Sequence, residues 1–250
     1  MSHKLEYNTK YPNFKEILLN IKAIFSQNSH TIHLARNELK TVELENISTV
    51  IKAFRVPNIL NQFVYANIRK SKAYKAFHNA SKLYQLNIST PEAIGYIEFF
   101  DSNLLKESFF ISKEFTYDFT IAHIRDDQPK YKQKVLEEFA AFSYNLHSKG
   151  VWHVDYSGGN ILIKEENSHY NFSIVDINRM KFRSITAYEG LENFNKLWFN
   201  EEDLKTIAST YAKLAHLDEK HAINEILEHD RKLKKRVLLK RKIREILSGK

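Results

Sequence analysis

The stretch that decides the fold runs Gly150-Val-Trp-His-Val-Asp-Tyr-Ser-Gly-Gly-Asn-Ile-Leu-Ile163, in which His153, Asp155 and Asn160 stand as H-x-D-x-x-x-x-N. It follows Lys130 to Ser148, where Val135, Phe139, Phe142 and Leu146 share one helical face, and Gly150 stands where a left-handed helix cap belongs. It leads into a β-prone run, Asn160 to Lys164. Sixteen residues after Asn160, a second such run, Phe172 to Asp176, ends in Val175-Asp176-Ile177-Asn178. The paired Gly158-Gly159 predicts a sharp backbone turn that brings Asp155 and Asn160 to one cleft. Taken singly, Asp and His in a loop are equally at home as turn residues or caps.

Upstream, the periodicity changes twice. Phe14, Ile17, Leu18, Ile21, Ile24 and Phe25 recur at helical spacing and predict a packing helix over about 13–26. From Thr31 to Ala35, Thr41 to Glu45 and Ser48 to Phe54 the pattern predicts a three-stranded meander with polar tips at Asn37-Glu38 and Glu45-Asn46. Pro57 ends it, and one long helix is predicted from about Leu60 to Leu86. Two further strands, Ile94 to Phe100 and Ser108 to Phe115, join through Asp101-Ser102-Asn103. Downstream of Asp176 the chain predicts helices over Leu191 to Leu197, Glu202 to Leu214 and Ala222 to Leu247. The expected organisation is an α+β, two-lobed chain. Residues 1–116 form an N-terminal lobe with five strands and one long helix, and 117–250 form a mainly helical lobe.

Composition narrows the chemistry. The 250 residues include no cysteine, which removes disulfides, thiolate nucleophiles and cysteine-held metals. Six glycines, the first at position 95, leave no Walker A loop and no G-x-G-x-x-G. The longest apolar runs are too short to cross a bilayer, and Met1 to Lys10 lacks the apolar core of a signal peptide, so a cytoplasmic location is expected. Of the net charge of +8, the segment Arg231–Lys250 contributes ten basic residues against one acid, Glu245.

The H-x-D-x-x-x-x-N loop followed by a strand ending in Asp resembles the protein kinase-like fold, and more closely the bacterial lipopolysaccharide kinase family, over roughly residues 30–215. That resemblance implies ATP and Mg²⁺ as cofactors and a Kdo or heptose hydroxyl of the lipopolysaccharide inner core as acceptor. It implies that Asp155 holds the acceptor hydroxyl, that Asn160 and Asp176 bind the metal, and that the strand-borne Lys52 of Thr49-Val-Ile-Lys-Ala-Phe54 contacts nucleotide phosphates. These residue types suit phosphoryl transfer, which demands positioning and charge neutralisation more than covalent help, and hard oxygen ligands for Mg²⁺. His153 is expected to brace the loop rather than accept a proton. Tyr156 and Ser157 lie near enough in sequence to touch substrate.

Departures from the protein kinase pattern shape the expectation further. Val154 stands where protein kinases carry Arg, A-P-E is absent, and Asp176-Ile177-Asn178 replaces D-F-G, all of which favour a small-molecule or glycan kinase over a regulated protein kinase. With no glycine available, the phosphate-covering turn is expected at Ala35 to Lys40, with Arg36, Asn37 or Lys40 donating through side chains. No Asp or Glu occurs between Glu45 and Glu92, so the carboxylate that normally pairs with the strand lysine is missing, and His78, beside Asn79, takes its place by position. A neutral imidazole orients Lys52 without neutralising it, which keeps a nucleotide-binding pseudokinase scaffold as an alternative. A small-metabolite phosphotransferase is the other.

The acid-free stretch carries Lys52, Arg55, Arg69, Lys70, Lys72, Lys75 and Lys82, either a solvated face or one suited to a phosphorylated glycolipid. In the last segment Leu233, Val237, Leu239, Ile243, Ile246 and Leu247 form an apolar stripe amid Lys and Arg, predicted to pack partly on the second lobe and to meet an anionic membrane surface. The expected location is therefore peripheral, at the inner face of the cytoplasmic membrane. No nucleic-acid partner is expected, since no binding motif accompanies the charge.

Overall fold

A computed structural model of the chain describes residues 2–29, 31–34, 37–126 and 131–248. The chain divides into two compact units, Met1–Thr116 with Ile174–Arg179, and Tyr117–Ser173 with Met180–Lys250. The short piece Ile174–Arg179 thus departs from the simple division at 116/117. Hydrogen bonds hold it in the first unit: Ile174 N donates to Ser89 O (3.1 Å), Thr90 Oγ1 to Ile174 O (2.8 Å), and Asn79 Nδ2 to Ile177 O (2.7 Å).

In the first unit a six-stranded sheet runs in the order β1-β5-β6-β4-β3-β2. Its strands are β1 (Ser2–Tyr7), β2 (Thr31–Leu34), β3 (Glu38–Leu44), β4 (Ile47–Phe54), β5 (Ala93–Asp101) and β6 (Leu104–Lys113). Five were expected and the sixth, β1, pairs antiparallel along β5 from Ser2↔Phe100 to Tyr7↔Gly95. Glu45 and Asn46 at the β3–β4 tip, and Ser102 and Asn103 at the β5–β6 tip, all have positive φ. That is the two-residue hairpin geometry whose twist matches the flanking strands.

Helices cover both faces of this sheet. On one face α1 (Phe14–Leu19) and α2 (Ile21–Gln27), which split the single expected helix at Asn20, bury Phe14, Leu18, Ile21 and Phe25 against Ile51, Ile97, Phe109 and Ile111. The other face takes α4 (Lys72–Gln85) through Ala73, Ala76, Phe77, Ala80 and Leu83. The expected long helix is in fact two, α3 (Ile59–Asn67) and α4, broken at Ile68–Ser71. Ser71 Oγ caps α4 by accepting from Tyr74 N (3.0 Å), and a capping side chain ends one helix as surely as it begins the next. Because strand side chains alternate, Lys52 faces the α4 side while its neighbour Ile51 lies in the α1–α2 core.

The second unit holds α5 (Ile121–Asp126), α6 (Lys132–Ser148), α7 (Ala187–Glu192), α8 (Glu201–Ala215) and α9 (Glu219–Leu247). Beside them lie a small sheet of β7 (Phe119–Thr120), β9 (Ile161–Glu166) and β10 (His169–Ile174), and a two-stranded pair of β8 (Val151–Trp152) and β11 (Lys181–Phe182). Lys132 and Asp203 close a mostly buried ion pair (2.9 Å) between α6 and α8. The aromatic centre is Phe139, Tyr156, Phe194 and Tyr211, all but excluded from solvent. His147 lies among them, with Nδ1 3.0 Å from Tyr211 Oη and Nε2 3.2 Å from Asn193 Oδ1. Burial pushes its pKa down to about 4, so it is a neutral structural imidazole at physiological pH.

Gly190 makes this packing possible. A Cβ there would lie 2.2 Å from Tyr211 Oη and 2.7 Å from His147 Nδ1. Gly190→Ala ordinarily gains about 1 kcal/mol of helix propensity. Here overpacking and a broken buried hydrogen bond outweigh it, and a net destabilisation of about 2 kcal/mol is expected, seen as a lowered urea midpoint at unchanged m-value.

Candidate active site

The H-x-D-x-x-x-x-N loop belongs wholly to the second unit. It leaves α6 through Gly150, whose φ of 72° is the left-handed cap the sequence predicts. His153, buried, accepts a hydrogen bond at Nδ1 from Asp155 N (3.1 Å), and its carbonyl accepts from Asn193 Nδ2 (3.0 Å). Tyr211, His147, Asn193 and the His153 carbonyl therefore form a continuous polar chain from the aromatic centre to the loop. His153 is a brace for the loop.

Asn160 ends the turn Gly158–Asn160, and its Nδ2 donates to Asp155 O (2.9 Å) and Ser157 Oγ (3.1 Å). With the amide nitrogen spent on the loop, Oδ1 is the face of the group left for a ligand. The glycine pair works differently from expectation, because neither residue has positive φ. Gly158 instead permits close approach: a Cβ would sit 2.9 Å from Ala122 Cβ and 3.0 Å from Ala122 Cα on α5, while Gly159 has open space.

Tyr156 is placed far from any substrate role. It is fully buried, stacks on Phe139, and pairs its hydroxyl with Ser143 Oγ (2.8 Å); burial pushes its pKa up, against the lowering effect of the Ser143 hydrogen bond. Lys196 was invisible in the sequence. From the short helical turn Asn193–Lys196 it donates to Val154 O (2.5 Å) and sits 3.8 Å from Asp155 Oδ1. Nothing in its neighbours marks it, since the contact spans 41 residues of chain.

Lys52 and Asp176, expected at the phosphates and the metal, meet in the first unit. Lys52 Nζ meets Asp176 Oδ1 at 2.5 Å, and Asn178 Nδ2 donates to the same oxygen at 2.7 Å. Arg179 lies 3.8 Å from the second carboxylate oxygen. Asp176 holds φ at 56°, a left-handed conformation that Asp tolerates better than most side chains. Asn79 on α4 pins the next residue through the Ile177 carbonyl. The missing helix carboxylate is thus replaced, in this structure, by Asp176 itself.

Two expected nucleotide contacts are corrected. His78 does not orient Lys52: its Nε2 lies 3.4 Å from Glu6 Oε2 and its ring stacks on Tyr74 (3.9 Å between centroids). The cause is β1, which brings Glu6 to the α4 face, where Tyr96 Oη also donates to it (2.8 Å). Lys40 does not cover phosphates, because it lies in β3 with Nζ donating to Phe25 O (2.8 Å) in a buried position beside Glu38. Asn37 stands at the start of the β3–β4 hairpin, its Oδ1 accepting from Arg55 N (3.4 Å). Arg36 and Ala35 lie outside the described residues.

The residue types present in each unit are compatible with a nucleotide-bridged Mg²⁺. Among the described residues no group of three or more His, Asp or Glu side chains is arranged to hold a metal alone. Mg²⁺ shared with phosphates needs only one or two hard protein oxygens, and the Asp176 carboxylate is an oxygen donor of that kind.

No curated protein sequence matches the chain. Among solved structures, WaaP in complex with acyl carrier protein superposes with a TM-score of 0.64 at 16% identity, covering 93% of this chain and 98% of that one. The Rio2 kinase–ADP/Mg²⁺-phosphoaspartate complex from Chaetomium thermophilum gives a TM-score of 0.49 at 17% identity, covering 86% of this chain and 67% of that one. The first likeness establishes the kinase-like fold. The sequence profile of the Lipopolysaccharide kinase (Kdo/WaaP) family matches residues 29–221, more than three quarters of the chain, and with the H-x-D loop and Asp176 already in place the chain belongs to that family of phosphotransferases.

Proposed function

We propose that this lipopolysaccharide kinase transfers the terminal phosphoryl group of ATP, with Mg²⁺, to a sugar hydroxyl of Kdo or heptose in the inner core. The observation that carries the reading is the braced loop: Asp155 is fixed at its amide by His153 and at its carbonyl by Asn160, with the Lys196 ammonium beside its carboxylate. A carboxylate so held can accept a hydrogen bond from the acceptor hydroxyl and take its proton as the new P–O bond forms. Lys196 supplies positive charge where the transferring phosphoryl group develops negative charge. Lys52 and Asp176 are assigned to the nucleotide phosphates and the metal. When bound, Mg²⁺ neutralises the phosphate charge, and Asn160 is the second protein oxygen assigned to it.

The acceptor is lipid-linked, and α9 suits it to a membrane surface at the inner face of the cytoplasmic membrane. Its middle is tied down by Arg231 to Glu201 and by Lys234 to the Phe199 carbonyl. Leu233, at the start of the apolar stripe, is half-buried, whereas from Lys235 to Ile246 every residue is exposed, and Leu238, Leu239 and Ile246 face solvent beside six of the ten cations. No described helix is long and apolar enough to cross a membrane.

Two measurements test this reading. Purified protein with γ-labelled ATP and a Kdo–lipid or heptose-bearing core acceptor should move label to the glycolipid, and absence of transfer to either would remove the assignment. Replacing Lys240, Arg241, Lys242 and Arg244 by Gln should lower cosedimentation with anionic vesicles and glycolipid turnover, yet spare ATP affinity, each charge contributing about 1 kcal/mol at moderate salt. Equal binding by variant and wild type would return α9 to a solvated helix.

A further inference from the structure

The first unit carries an apolar surface of its own that the kinase chemistry does not use. Along α3 and its flanks, Val56 (45% exposed), Ile59 (72%), Leu60 (80%), Phe63 (53%) and Ile68 (72%) stand in solvent within thirteen residues. Within the helix Ile59, Leu60 and Phe63 stand at three- and four-residue intervals and share one face, with Val56 exposed on the segment before it. The opposite side is spoken for. Gln62 is buried with Nε2 donating to Pro57 O (2.9 Å), and the helix packs against β6.

The helix is held firmly in this posture. Asn58 Oδ1 caps its start by accepting from Asn61 N (3.0 Å), and Asn67 Nδ2 reaches Phe63 O (2.9 Å) and Asn103 O (3.5 Å) on the β5–β6 hairpin. An anchored helix that presents three large apolar side chains, with Val56 and Ile68 at its flanks, is not a frayed segment. Contiguous apolar exposure of this kind marks a surface that another phase or molecule covers.

Charge identifies the occupant. Arg55 precedes the helix, Arg69 and Lys70 follow it, all three are exposed, and no acidic residue occurs from position 46 to 91. An apolar face bounded at both ends by cations, without a carboxylate along the segment, matches the depth profile of an anionic bilayer, with phosphates at headgroup level and hydrocarbon beneath. We infer that α3 is a second membrane-inserting element, its Ile59-Leu60-Phe63 face entering the acyl region of an anionic lipid surface while Arg55, Arg69 and Lys70 meet headgroup phosphates. The inference goes beyond the kinase reading and stands apart from α9, because insertion of this helix needs neither nucleotide nor acceptor.

The test places a reporter in the helix of the full chain. Phe63→Trp, a tolerated change at a half-exposed site, is mixed with vesicles of phosphatidylcholine and phosphatidylglycerol bearing brominated acyl chains. Its emission should be blue-shifted and quenched beyond the signal of wild type, whose Trp152 and Trp198 supply the background. Adding Ile59→Gln and Leu60→Gln should abolish the quenching and lower vesicle partitioning by about tenfold or more. Arg69→Gln with Lys70→Gln should weaken it in a salt-dependent way. Absence of bromine quenching, whether or not the protein pellets with the vesicles, overturns the inference. So does concentration-dependent self-association in sedimentation that Leu60→Gln removes, since the face would then belong to a second copy of the chain. Label transfer to a soluble, deacylated core sugar, measured in parallel, reports on the kinase reading separately.

Discussion

Asp155→Asn is expected to lower turnover by about a hundredfold or more while leaving ATP affinity nearly unchanged. The substitution is nearly isosteric, and the contacts that shape the loop use the backbone of residue 155: its amide donates to His153 and its carbonyl accepts from Asn160. What is lost is the negative charge facing Lys196 and the basic oxygen for the acceptor proton. The fall should therefore be carried by kcat. Steady-state kinetics with isothermal calorimetry for ATP separate the two, and retention of most wild-type turnover by the purified variant would remove Asp155 from the reaction. Lys196→Met gives a useful contrast, because it takes away the cation while keeping the carboxylate.

Asp176→Ala should abolish the Mg²⁺ dependence of ATP binding. Its carboxylate gathers Lys52, Asn178 and Arg179, so the variant also leaves three donors without their acceptor. Part of any stability loss will come from the backbone, since φ of 56° costs Ala about 1 kcal/mol or more. Asp176→Asn removes that ambiguity. Asn accepts the left-handed conformation, keeps one oxygen for Lys52, and lacks the charge that attracts the metal. Calorimetric titration of ATP with and without Mg²⁺ into both variants is the measurement, with Asn160→Ala expected to show a smaller effect. Mg·ATP binding by Asp176→Asn at wild-type strength would mean that another group holds the metal.

The parts of this architecture legible in the sequence are those fixed by short-range chemistry. Strands β4, β5 and β6 announce themselves by β-branched and aromatic runs, and the catalytic loop by residue types at fixed spacing. The parts that were not legible depend on partners far away in the chain. Ser2–Tyr7 is mostly polar and becomes a strand only because β5 offers a free edge. That strand then decides the fate of His78, whose Glu6 partner no reading of α4 could anticipate. Lys40 looked like a loop cation and is an interior lysine, because β3 begins at Glu38 and carries it under α2 to Phe25. The helix break was signalled by Ser71, yet the apolar periodicity continues across it and hides the cap. Lys196 reaches Asp155 through tertiary folding alone.

The edge strand β1 has a further consequence for handling the protein. Every residue of β5 from Ala93 to Phe100 is buried, in the sequence AIGYIEFF, which lacks proline and carries a single charge. Without β1, one whole side of that strand would present unpaired amides and carbonyls on a β-prone, largely apolar segment, the template from which intermolecular sheets grow. Within that run Glu98 is the one charge, and burial pushes its pKa up, which weakens the charge that would repel a second strand. The six residues of β1 therefore act as a built-in solubility device. Deleting them to shorten the chain, or forcing a rigid fusion against Ser2, should convert a well-behaved kinase into one that recovers poorly from the soluble fraction.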